Sequence, residues 1–373
     1  MSKRITWFLS AALMAAGSVP AQAKIVGVGG CNPHIKNYPT ISAAVIDPTN
    51  ANATIQVCAA AGSGTGGSYP EQVTISQPLT LEGVANGNSG RAVISVPPGP
   101  LATNVTSIIG QSLFAQVLVQ AGPVNITGIT VDGTGGGIGC SGTAGLVGIF
   151  YASGANGTIN EATARNQVSS GCGTGIWVEN GGSITESITI EKCSTESVDE
   201  QGIFAFSNQR PSTLQITIQG NYLTSYLPAT LGIVADGISG NINGNIVTLG
   251  TGGIESIAST TSVVSNVVAD IRNSGLGEAL VLTPGATAQN NRVSDADLAF
   301  YFAPTELSGP ILKGNASMNS NISVEFSCDA NTTVLSNRFT DSQNAFDHWP
   351  GNTPFNKNQF YDIDSIPSMS QCP

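Results

Sequence analysis

The stretch from Gly175 to Ser225 contains one unit written twice. Each copy opens with Gly-Ile-aromatic-apolar, as Gly175-Ile176-Trp177-Val178 and again as Gly202-Ile203-Phe204-Ala205. Each passes through a polar turn to an alternating strand, Ile188 and Ile190 in the first copy, Ile216 and Ile218 in the second. Each closes on a small polar residue, Cys193 or Asn221. The offset is 27 residues from Gly175 to Gly202 and 28 from Cys193 to Asn221. A period of this size is that of a solenoid. One such unit cannot bury its apolar face alone, whereas stacked units make a continuous core. Further Gly-apolar starts fall at Gly148, Gly232 and Gly253, and Ala279, Ala299, Ser323 and Ala345 take that place downstream. A second series runs in phase: Asn221, Asn245, Asn266, Asn291, Asn315, Asn337 and Asn358. Stacked Asn side chains in tight turns hydrogen-bond from coil to coil and tolerate left-handed backbone, so this series reads as structural.

Strand residues alternate between the two faces of a sheet. The phase set by the repeat turns Ile176, Val178, Ile203, Ala205, Ile233, Ala235, Leu280, Leu282, Phe300, Phe302, Val324 and Phe326 inward. The outward column is then Trp177, Phe204, Val234, Glu255, Val281, Tyr301, Glu325 and Asp347. A parallel column holds Glu179, Phe206, Asp236, Ile257 and Thr283. Only 10% of the residues are charged, which argues against exposed helices, whose faces carry Lys and Glu. The expectation is an all-β chain.

Lys3 and Arg4, the apolar run Ile5–Ala16 and the Ala21-Gln22-Ala23 site read as an export signal over residues 1–23. That predicts a secreted or periplasmic protein, with no later apolar run long enough to insert in a membrane. Removing Lys3 and Arg4 moves the net charge from −11 to −13, which disfavours nucleic acid and anionic lipid as partners. The chain is expected to be a monomer. Seven cysteines leave at least one thiol over in an oxidising compartment. One pairing among several is Cys31–Cys58, Cys140–Cys172 and Cys328–Cys372. Cys193, at an Asn position of the repeat, is then the free thiol.

The N-terminal third carries a resemblance. Tyr38-Pro-Thr-Ile-Ser-Ala-Ala-Val-Ile46 has the pattern of a short helix with Thr40 or Ser42 at its N-cap. It is followed by Tyr69-Pro-Glu-Gln-Val-Thr-Ile75 and Pro78-Leu-Thr-Leu-Glu-Gly83. This order resembles the start of the right-handed parallel β-helix proteins of the pectin-lyase-like superfamily, where such a helix caps the first coil. Ser68 stands where those proteins usually have Gly. The resemblance implies a single-stranded right-handed parallel β-helix of roughly ten to twelve coils. Residues 24–83 would form the cap and first strands, and residues 84–373 the coils and a C-terminal capping segment. No single enzyme family is matched. The catalytic phrases of polygalacturonases, pectin methylesterases and alginate epimerases are absent. The pectate-lyase Arg-x-Pro-x-x-Arg is reduced to Arg210-Pro211.

Candidate site residues come from the outward columns. Trp177, Phe204, Phe206 and Tyr301 would offer a surface for sugar rings, unless a neighbouring loop, such as the turn holding Pro228, covers them as secondary core. Glu179, Asp199, Glu200, Asp236 and Glu255 come from adjacent coils, spaced about 5–10 Å apart, which suits a glycosidase pair. Such a group also suits Ca²⁺. In pectate-lyase-type enzymes a cation of that kind neutralises a uronate while a basic side chain takes a proton, and Arg210, then Lys192, are the nearest bases. The resulting assignment is Asp199, Glu200, Asp236 and Arg210 as catalytic, with Trp177, Glu179, Phe204, Glu255 and Tyr301 holding substrate. The ligand would be an extended polysaccharide, and the chemistry that of a lyase or hydrolase. The same features also describe a non-catalytic envelope or surface β-helix, adhesive or structural. Of the two histidines, His34 lies in the cap, and His348 beside Asp347 is a weaker acid–base candidate.

Overall fold

A computed structural model describes residues 24–365, apart from residue 31 and segments 60–66, 86–89, 137–143, 226, 228–229, 274–275, 304–308, 328–331 and 349–354. The export signal therefore lies outside the described residues. So do Pro228, Cys31, Cys140, Cys328 and Cys372, and with them part or all of each suggested disulfide.

A coil is three short strands and three turns. One runs Leu214–Gln219, Tyr222–Thr224, Leu231–Asp236, and the next runs Ser239–Asn243, Ile246–Gly250, Gly252–Ile257. Each strand pairs in parallel with its counterpart one coil on, as in Ile218↔Ile242, Tyr222↔Ile246 and Val234↔Glu255. Among the described residues the first-face strands join in a 14-stranded sheet, and the second and third faces run together in one of 23 strands. The chain is thus an all-β parallel β-helix. The twelve residues expected to point inward are all in one continuous core. The outward column runs Trp177↔Phe204↔Val234↔Glu255↔Val281↔Tyr301↔Glu325↔Asp347, rung by rung as the repeat required.

The turn from first to second face explains the Asn series. The residue before each Asn takes the left-handed conformation, for example Gly244 (φ 63°), Ser265 (φ 56°) and Asn290 (φ 55°). The Asn side chain then bridges two coils. Asn266 Oδ1 accepts from Asn245 N and Nδ2, each at 2.9 Å, while its Nδ2 donates to Ile242 O and Asn291 Oδ1, also at 2.9 Å. Cys193 heads this ladder. It is free and buried, its amide donates to Asn221 Oδ1 (2.8 Å), and burial pushes its thiol up to about 12.

The helix Ile41–Ile46 caps the first coil, with Thr40 as the N-cap, accepting from Ala43 N at 3.0 Å. Glu71 reaches back to take the amides of Ile41 (2.9 Å) and Ser42 (2.8 Å). Negative charge at a helix start satisfies amides that have no partner within the helix. No helix among the described residues is long and apolar enough to cross a membrane.

Candidate functional site

The third face holds the candidate residues, and its two halves differ. In the N-terminal half the outward aromatics are roofed. The chain between the strands Val93–Ser95 and Ser112–Val119 leaves the coil, and Val105–Thr106 pairs antiparallel with the start of the second strand. Val105 packs with Leu113, Leu118, Phe150, Trp177, Phe204 and Val234 in a second apolar cluster. The Trp177 ring sits 5.7 Å from Phe150 and 4.7 Å, edge-on, from Phe204. Trp177 is 2% exposed and Phe204 8%. Glu179 is also 2% exposed, and Ile108 N donates to its Oε1 at 3.1 Å. Burial pushes Glu179 up to about 7, although that backbone bond opposes the rise. The expectation of an open sugar platform at Trp177, Glu179 and Phe204 is therefore corrected. These side chains are core beneath the 101–111 segment, and a ligand cannot touch Trp177 or Glu179 while that segment stays in place.

The acids assigned to catalysis do not converge. Asp199 is buried, and its carboxylate takes the amides of Ser169 (2.8 Å), Gly171 (2.8 Å) and Gly173 (2.6 Å). Those three bonds hold the turn of the preceding coil and leave the carboxylate shut away from solvent. Asp297 does the same four coils on, taking Asn273 N and Gly277 N. Glu200 is half-buried beside the start of the strand Gln201–Ser207, raised by burial and then by Asp199. Asp236 lies at the other end of that sheet, across from Phe206. Six residues of extended chain, about 20 Å, separate the two positions. Asp236 does meet Arg210, at 3.5 Å, but burial outweighs the guanidinium and its carboxyl stays raised. The five acids thus split into a structural clamp, a covered carboxyl, an ion pair and two separate half-buried groups. Among the described residues no three His, Cys, Asp or Glu side chains stand close enough to hold one metal ion.

Among the described residues the C-terminal half of the face has no such roof. Glu255, Tyr301, Glu325 and Asp347 are all partly exposed along one column. Glu278 joins them from the side. The turn into the third face brings two successive residues, Ala279 and Leu280, into the core, so Glu278 and Val281 both face out. Glu278 pairs in register with Gly252. The Glu255 carboxylate folds back over that glycine, with Oε1 3.2 Å from where a Gly252 Cβ would stand. Glu255 and Glu278 are thereby neighbours on adjacent rungs, whose backbones lie about 5 Å apart. Burial, then Glu278, pushes Glu255 up to about 7. Glu278 is raised by burial and by Glu325, and Tyr301 by burial and by Glu325 and Glu278. Beyond them Asp347 stands 3.4 Å from His348 Nδ1, because a left-handed His348 (φ 52°) brings two sequence neighbours to one side. The described part of the third face therefore holds a carboxyl pair, one member of which is pushed up to about 7, beside a phenol on a partly exposed strip. Of the sequence-assigned residues it unites Glu255 and Tyr301. Glu278 was missed.

No family model and no curated protein sequence matches this chain. Solved structures do. A GH136 lacto-N-biosidase from Eubacterium ramulus is similar at 10% identity and TM-score 0.58, over 92% of this chain and 68% of that one. A tailspike protein of E. coli bacteriophage HK620 is similar at 13% identity and TM-score 0.63, over 93% and 68%. At these identities the likeness concerns the fold, which is the right-handed parallel β-helix.

Proposed function

We propose that this protein is a secreted or periplasmic carbohydrate-active β-helix that binds an extended polysaccharide along the C-terminal half of its third face and hydrolyses it there. The observation that carries the reading is the Glu255–Glu278 pair. Two carboxyls reaching one another from adjacent rungs can act as a glycosidase pair, in which, in a retaining enzyme, one gives a proton to the leaving oxygen and the other attacks the sugar carbon. Glu255, held protonated near neutrality, is the proton donor. Glu278 is the nucleophile, and Tyr301 and Glu325 flank the sugar bound there. A lacto-N-biosidase among the fold neighbours is consistent with this class of chemistry, as a fold-level analogy.

The test is release of reducing ends from a polysaccharide panel. Glu255→Gln and Glu278→Gln should each lower turnover at least 100-fold with glycan binding kept. Activity of the native protein should fall as pH rises through about 7, as Glu255 gives up its proton. Full activity in both variants would sink the assignment. An unsaturated, ultraviolet-absorbing product that disappears with EDTA would replace it with Ca²⁺-assisted lyase chemistry. Binding without turnover, indifferent to both substitutions, would return the protein to the adhesive or structural class.

A further inference from the structure

The second face carries a feature that the acid pair does not use. Two outward columns run side by side here. One is Val267↔Arg292↔Ala316↔Arg338↔Gln359, and the other is Ala269↔Ser294↔Met318↔Thr340↔Tyr361. Between them Val268, Val293, Ser317 and Phe339 point into the core. Small Ala316 separates the two arginines, and the hollow over it is a cleft of about 400 Å³ whose lining includes Arg292, Arg338, Ser294, Met318 and Thr340. The two guanidiniums stem from positions two rungs apart, about 9–10 Å.

What sets these arginines apart is their lack of a counter-charge. Arg91, Arg165, Arg210 and Arg272 each meet an acid, Glu161, Asp132, Asp236 and Asp295 respectively. Arg292 and Arg338 meet none among the described residues, in a chain with 24 acidic and 13 basic residues. Asp295, three residues from Arg292, is instead engaged by Arg272 and Asn319. Arg338 lies over the Tyr361 ring, 4.8 Å from its centroid, and this stacking restricts its motion and aims its fork. Two like charges facing one cleft repel each other until an anion enters. A planar guanidinium takes a carboxylate or sulfate through two parallel hydrogen bonds. Beyond Arg292 the same column continues as Val267, Ile246 and Tyr222, which are 38%, 40% and 47% exposed. That apolar and aromatic run suits the C–H faces of sugar rings.

We infer that the Arg292–Arg338 cleft is an exosite for an acidic glycan, binding oxyanion groups about two rungs apart on a chain laid across the coils. It lies on a different face from Glu255 and Glu278, so it stands or falls apart from the hydrolase reading. The oxyanions would be uronate carboxylates or sulfate esters, and the experiment separates the two.

Calorimetric titration of the full-length protein with an oligogalacturonate, a sulfated galactan oligosaccharide and a neutral cello-oligosaccharide tests this. At least one acidic probe should bind more tightly than the neutral one, and more weakly as salt rises. Arg292→Gln and Arg338→Gln should each weaken that binding roughly tenfold, with Arg338→Lys in between because it keeps the charge and loses the fork. Circular dichroism should be unchanged, since both side chains are exposed. Glu255→Gln should leave this binding intact. The inference is overturned if neither acidic probe binds, if the neutral probe binds equally well, if both Gln variants bind like the native protein, or if single-stranded DNA binds with the same arginine dependence.

Discussion

At the residue scale the Asn ladder is the feature most fully legible beforehand, because type, period and turn context all point the same way. Sequence did not show that the left-handed residue is the neighbour before each Asn rather than the Asn itself. Each interior Asn makes four bonds in a buried turn. Asn266→Ala removes all four, taking this partner from Asn245 N and Ile242 O, and should lower stability by about 3 kcal/mol, measured by urea unfolding. Cys193 offers the reverse experiment. Its Sγ lies 3.4 Å from Ile159 O, the carbonyl an Asn amide would reach by analogy with Asn221 Nδ2 and Ile190 O. Cys193→Asn should extend the ladder by one rung and raise stability by about 1 kcal/mol. A clear loss would show that this position cannot hold the larger side chain. Asp199 shows why acids were misread: its role depends on amides 26 to 30 positions earlier in the chain, a relation composition does not carry.

At the element scale, strand phase was readable and the roof was not. Alternation fixes which side chains of a repeated strand face out. It says nothing about where an irregular excursion lies, and residues 84–123 break the repeat. Glu278 was hidden for a related reason: two consecutive inward residues at the bend reset the alternation just after it. The roof's seat can be tested at Gly181, where an added Cβ would stand 2.9 Å from Ile108 Cγ2. Gly181→Ala should force the 101–111 segment outward at a cost of about 1–3 kcal/mol. In a Trp7→Phe, Trp349→Phe background the emission of Trp177 should then shift to the red and become more open to acrylamide quenching. An unchanged spectrum would mean that other contacts hold the roof over the aromatics.

At the scale of the whole molecule the acids acquire a common consequence. Glu179, Glu186 and Glu255 are each pushed up to about 7, with burial the largest cause in every case. Below about pH 4.5 such groups are protonated whether the chain is folded or not. Between about 4.5 and 7 the unfolded chain releases these protons while the folded chain keeps them. Folding then takes up protons, and stability falls as pH rises through that window. For Glu179, almost wholly buried, the change from 4.5 to about 7 amounts to roughly 3 kcal/mol. Asp47 pulls the other way, held far below its usual range by Tyr38 and then Lys36, but its effect falls below this window. The midpoint of thermal unfolding should therefore be higher at pH 5 than at pH 8, and Glu179→Gln should flatten the slope between them. A midpoint that does not fall from pH 5 to pH 8 would mean that these carboxyls ionise in the folded chain much as they do in the unfolded one.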